Sequence, residues 1–155
     1  MRLTKAQLLN RNPVAQALRR RPVPAAIRCD MSLAAHVSLD EALRGTATVE
    51  HRDALASVVN TMMMLTRDHC DEASQAVVIA ARDAMLRADA RAKAGGHWGL
   101  DGEGIQALRD AVGGQDDLVG ALGVRDVSAA ILEAEARTPR MEKMGFFMED
   151  SNAKD

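Results

Sequence analysis

AGGHWGLDGEG, residues 94–104, admits two incompatible architectures. As a phosphate cradle it sits between a buried strand and a helix, in an α/β fold; as a turn it joins two helices in an all-α one. Gly102, Gly104 and Ala107 do match the G-x-G-x-x-A form of a dinucleotide fingerprint. That chemistry needs a strand immediately before the first glycine, and the preceding residues, RAKAGGHWGLD, end a helix and turn. No G-x-x-x-x-G-K-[ST] loop follows either glycine cluster. The turn accounts for more of the residues: Gly95 and Gly96 accept left-handed backbone, Trp98 covers the corner, and Asp101 caps the next helix. The expectation is therefore no cofactor and no small-molecule substrate.

Helices spread outward from it in both directions. Downstream, Ile105, Leu108 and Val112 share a helical face, Gly113-Gly114 is expected to kink or end that helix, and 117–122 is helical again. A last helix, from about Arg125 to Ala136, carries Val127, Ile131 and Ala134 on one side and closes at Thr138-Pro139. Upstream, 72–93 is alanine-rich, with Ala73, Ala76, Val77, Ala80, Ala84 and Ala88 offered to a neighbouring helix. Thr48 caps a helix to about His69 with Leu55, Val58, Val59, Met62 and Leu65 on one face, and Ser32 caps another that stops at Gly45. Residues 3–20 have helical character, with Leu8, Val14, Ala15 and Leu18 apolar and a break at Asn12-Pro13; RRRPVPAAIR, 19–28, reads as a linker.

No strand-like alternation and no repeat appears, so short connections imply an antiparallel all-α bundle of four to five main helices. It is expected to occupy residues 31–138, with a basic N-terminal arm and linker at 1–30 and a short tail at 139–155. The 155 residues suit one domain, which buries about 70% of its unfolded surface. Apolar residues make up 47%, yet Trp98, Phe146 and Phe147 are the only aromatics, so the core must be aliphatic. Cys29 and Cys70 form no disulfide framework, and no stretch reaches the roughly 18 apolar residues of a membrane span. A cytoplasmic location is expected.

Chemistry is sparse. His51, His69, Cys70, Asp71 and His97 lack the spacings of a zinc site, and adjacent His69 and Cys70 diverge by about 100° on a helix. There is no G-x-S-x-G elbow and no reactive-cysteine motif, and Asp116-Asp117 reads as a solvated pair. The expectation is a non-enzyme with no catalytic and no metal-binding residues. Met62, Met63 and Met64 occupy three successive positions, so at least one should lie near the surface or in an interface.

Binding to macromolecules is what remains. Residues 1–28 carry seven basic and no acidic residues, so the other 127 are net −9 (−2 minus +7). Arg11, Arg19, Arg20, Arg21 and Arg28 are candidate nucleic-acid contacts, or a strap across the acidic body. Residues 117–137 resemble a helix-turn-helix around Ala121-Leu122-Gly123-Val124, although Asp126, Glu133 and Glu135 on the second helix would repel phosphate. Trp98, Met144, Phe146, Phe147 and Met148 are candidate contacts for a protein partner or a second copy. A protein-binding accessory role is favoured, with a DNA-binding accessory regulator as the alternative.

SLDEALRG (38–45), VVNTMMML (58–65) and HWGLDGEGIQALRDAV (97–112) resemble a group of small helical proteins of unknown activity. These are encoded on plasmids, phages and integrated elements of proteobacteria, and some are automatically labelled Fis-type regulators. The likeness spans roughly residues 31–137 and rests on an AL..L.G turn and a W-x-L-x-G-E-x-x-Q-A-L-R segment. It implies a bacterial mobile-element setting and a possible link to DNA, and it carries over no functional residues. Gly113-Gly114 departs from a pattern that continues as helix.

Overall fold

The structure, a computed structural model, describes residues 21–143 together with Val14 and Ala17, and for 138–143 the backbone alone. Five helices follow one another: α1 (Ala25–Arg44), α2 (Val49–His69), α3 (Glu72–Lys93), α4 (Gly102–Ala121) and α5 (Val124–Lys143). Among the described residues the only extended pairing is a single antiparallel bridge between Pro22 and Gly123. The fold is all-α, as the helical patterning requires.

α2 is the axis of the bundle. It packs against α1, α3, α4 and α5, whereas the flanking helices touch one another only in the pairs α3–α4 and α1–α4 to any extent. A helix enclosed this way must be apolar around most of its circumference. Its buried residues are accordingly consecutive: Val58, Val59, Asn60, Thr61 and Met62, then Met64, Leu65 and Thr66. Met62 and Met64 are both core residues and Met63 is half-buried, so the one-sided face expected from the sequence is too narrow. The buried Thr66 hydroxyl donates to the Met62 carbonyl one turn back at 2.8 Å, which satisfies it without a partner from outside the helix.

Local chemistry sets most of the boundaries. Gly45, at φ 73°, ends α1 with its own N–H on the Ala42 carbonyl and the Thr46 N–H on the Glu41 carbonyl, the pairing of a Schellman stop. Thr48 begins α2; its backbone N–H donates to His51 Nδ1 at 3.1 Å and its hydroxyl to Glu50 at 2.6 Å. Asp71 begins α3 by accepting from the Ser74 N–H at 3.0 Å, and Asp101 begins α4 by accepting from the Gly104 N–H at 2.7 Å.

Four expectations are corrected. Residues 25–30 are helix rather than linker, because Pro24 stands just outside the first turn, where its missing N–H has no partner to lose; Ser32 consequently lies inside α1. The face of α3 is rotated: Val78, Ala81, Ala84, Met85 and Ala88 are buried, while Ala73, Ala76, Val77 and Ala80 are exposed. Alanine tolerates either environment, so its spacing alone does not orient a helix. α4 runs unbroken through Gly113-Gly114, its remaining residues anchored by Leu108, Ala111, Val112, Gln115 and Val119. α5 continues past Thr138-Pro139 to Lys143.

Candidate functional site

The corner at 94–101 is filled by its own side chains. Gly95 takes φ 85°, and the Gly96 N–H returns to the Arg91 carbonyl at 3.0 Å. Trp98 folds inward to 8% exposure, and its indole N–H donates to Asp89 Oδ1 at 2.7 Å with the Arg52 guanidinium 5.8 Å over the ring. His97 Nε2 lies 3.1 Å from the Gly45 carbonyl and ties this corner to the turn between α1 and α2. Arg87 and Arg91 both reach Asp101, at 3.2 and 3.5 Å, and Arg91 also donates to the Gly99 carbonyl. The Gly104 N–H that would face a pyrophosphate is already bonded to the Asp101 carboxylate. A protein anion occupies the phosphate's place.

That geometry removes Trp98 from the candidate partner contacts, because the ring belongs to the main core cluster. His51, Asp71 and His97 are likewise spread through the turns, His51 at the start of α2, Asp71 on Ser74 and His97 on Gly45. Asp101 is held down to about 2, first by the Arg87 guanidinium and then by the Gly104 N–H. At the far end of α2, Arg67 is braced between Asp68 and Glu133 of α5; these carboxylates raise its pKa, and it lowers theirs.

The two-residue connection at 122–123 does bring α4 and α5 into a hairpin. Its mouth is closed by the segment before α1: the Val124 N–H donates to the Arg21 carbonyl at 2.8 Å, and Val23 packs with Val119 and Val127. The first turn of α5, the part of a recognition helix that reads bases, is therefore partly covered by residues 21–23. Arg21 and Arg28 are exposed at this end of the molecule. Arg11, Arg19 and Arg20 lie outside the described residues, as do Met144, Phe146, Phe147 and Met148.

A surface not singled out from the sequence lies along α1. The face opposite Ala35, Leu39 and Ala42 carries Leu33 and Val37 at 65% and 45% exposure, while the exposed Ile27 stands about 120° round the helix from Leu33. This face borders a groove of about 690 Å³ between α1 and α4, with Met31, Leu33 and His36 on one side and Gln115, Asp116 and Val119 on the other. His36 Nε2 lies 2.9 Å from Asp116 Oδ2 across it, and the Gln115 Oε1 beneath is buried without a partner among the described residues. The only sequence signal for this face is a second apolar stripe on α1, at Ala26, Cys29, Leu33 and Val37, offset from the core stripe.

No family model, curated protein or solved structure matches the chain.

Proposed function

We propose that the protein is a non-enzymatic helical module that works by binding protein, and that the outer face of α1 is its contact surface, with a second copy of the chain as the occupant. The observation that carries this reading is the apolar stripe itself. Among the described residues from α2 onward, Val49 and Leu132 stand singly, and Val77 and Ile79 point about 160° apart around α3. On α1, Leu33 and Val37 adjoin one turn apart and continue into the exposed Cys29 and Ala26, and residues 25–30 are exposed throughout.

The spacing favours a copy of the same helix. Ala26, Cys29, Leu33, Val37 and Asp40 stand at −7, −4, 0, +4 and +7 from Leu33, and all five are exposed. An antiparallel partner sees the same order from either end: Leu33 meets Leu33, Cys29 meets Val37, and Ala26 meets Asp40 at the rim. Such a two-fold pairing is closed, so it gives a dimer rather than a filament. Light scattering across a concentration series tests it. A dimer that Leu33→Asp converts to a folded monomer supports the reading; a parent chain that stays monomeric at about 100 μM, some hundredfold above a micromolar Kd, removes it.

The exposure of Arg21 and Arg28, next to the basic residues before them, favours the DNA-binding accessory role as a second reading. Phosphate contacts make affinity fall steeply with salt, and changing Arg19, Arg20 and Arg21 to Ala must then flatten that slope. Absence of duplex binding at low salt excludes it.

A further inference from the structure

α3 and α5 flank α2 with little contact of their own, and the gap between them is floored by α2. The floor of the gap is polar. Asn60 and Thr61 are buried there, Asn60 at 4% exposure, and Asn60 Oδ1 meets no donor among the described residues. A buried carbonyl without a partner costs on the order of 1–3 kcal/mol, and a well-packed core has no use for it. The cleft above measures about 300 Å³, the lower end of the range for small-ligand sites.

The walls combine two chemistries. Carboxylates come from each helix, Asp53 on α2, Asp89 on α3 and Glu135 on α5, against the single cation Arg52. Arg52 is committed to Asp89 at 4.0 Å and to the face of Trp98. Asp53 and Glu135 have no ion-pair partner among the described residues, so the rim keeps negative charge. The lining also includes the aliphatic side chains of Met85, Ile131 and Ala134. The acids do not converge on one point, since no three His, Cys, Asp or Glu among the described residues are grouped to hold a metal ion. Separated carboxylates, an aliphatic wall and a spare amide carbonyl complement a short chain with ammonium ends.

We propose that this cleft binds a small linear aliphatic diamine, with its ammonium groups on the carboxylates and its methylenes on the aliphatic wall. The site is separate from the α1 face and does not depend on self-association.

Calorimetric titration of the full chain with 1,4-diaminobutane at low ionic strength tests it, with 1,4-butanediol and magnesium chloride as controls. The expected result is saturable one-to-one binding of the diamine alone. Asp53→Asn combined with Glu135→Gln, both at exposed positions, should weaken it by about tenfold, two surface charge contacts' worth. Amide shifts in the parent chain should fall on residues 57–61, 85–89 and 131–135. No saturable heat by about 10 mM, well beyond the weak millimolar range, overturns the proposal. So do equal binding of the diol or the magnesium salt, an unchanged affinity in the double variant, and shifts that map elsewhere.

Discussion

Two glycines of α4 should respond to the same substitution with opposite signs. Gly104 faces α3 with no room for a side chain: a Cβ built there lies 2.9 Å from the Ala84 Cβ and 2.9 Å from Asp101 Oδ1. Neither neighbour is a flexible chain end, since one is bonded directly to backbone and the other is fixed by Gly104's own N–H and by Arg87. Gly104→Ala gains about 1 kcal/mol of helix propensity. Against this stand about 1–3 kcal/mol of overpacking and about 1 kcal/mol for a disturbed cap. The net expectation is a loss of about 1–3 kcal/mol, or several degrees in Tm for a chain of this size. Gly113 has nothing within 4 Å of the same hypothetical atom, so Gly113→Ala should keep the propensity term and gain about 0.5–1 kcal/mol. Urea denaturation followed by circular dichroism reads both. A Gly104→Ala chain more stable than its parent would refute the close α3–α4 contact, and a destabilised Gly113→Ala chain would refute an unbroken α4.

Three further outcomes follow from the same contacts. Asn60→Leu, which removes a buried carbonyl with no partner, should raise the stability of the unliganded chain by about 1 kcal/mol in the same denaturation assay. Trp98→Phe keeps most of the burial but deprives Asp89 of its indole donor, so it should cost about 1.5–3 kcal/mol, read by circular dichroism. The carboxyl of Asp101 titrates near 2 in the folded chain and near 3.8 when unfolded, so its ionised form stabilises the fold above about pH 4 and that contribution is lost as pH falls toward 2. Trp98, the only tryptophan, reports the corner directly: its emission should change over that interval, and Asp101→Asn should remove that part of the transition.

The helix boundaries legible in the sequence are those written in side-chain chemistry. Gly45, Thr48 and Asp101 all sit where their capping preferences place them. Prolines misled at both ends: Pro24 lies just before the first turn of α1, where no N–H is needed, and α5 runs on through Pro139 although that position gives up one backbone hydrogen bond. Gly113 and Gly114 misled because their weak helix propensity is outweighed by a buried face on either side of them. The central position of α2 was concealed in its own periodicity, since a helix with neighbours all around has no solvent side for the pattern to mark. Both clefts were beyond sequence reading altogether. His36 and Asp116 are 80 residues apart, and Asp53, Asp89 and Glu135 come from three helices. The α1 stripe was present in the sequence, but Ala, Cys, Leu and Val at those positions gain meaning only once Ala35, Leu39 and Ala42 are known to face the core.

A distance between paired copies of α1 tests the proposed contact surface most directly. In a chain with Cys29→Ser and Cys70→Ser, a spin label at position 40 lies seven residues from Leu33, and its mate lies seven residues beyond on the antiparallel copy. At about 1.5 Å per residue the two labels stand roughly 21 Å apart along the helix axis. The account predicts a dipolar distance of about 20–25 Å that Leu33→Asp abolishes; an absence of dipolar coupling at the concentrations used for light scattering, or a distance beyond about 40 Å, nearly twice that axial offset, would contradict it.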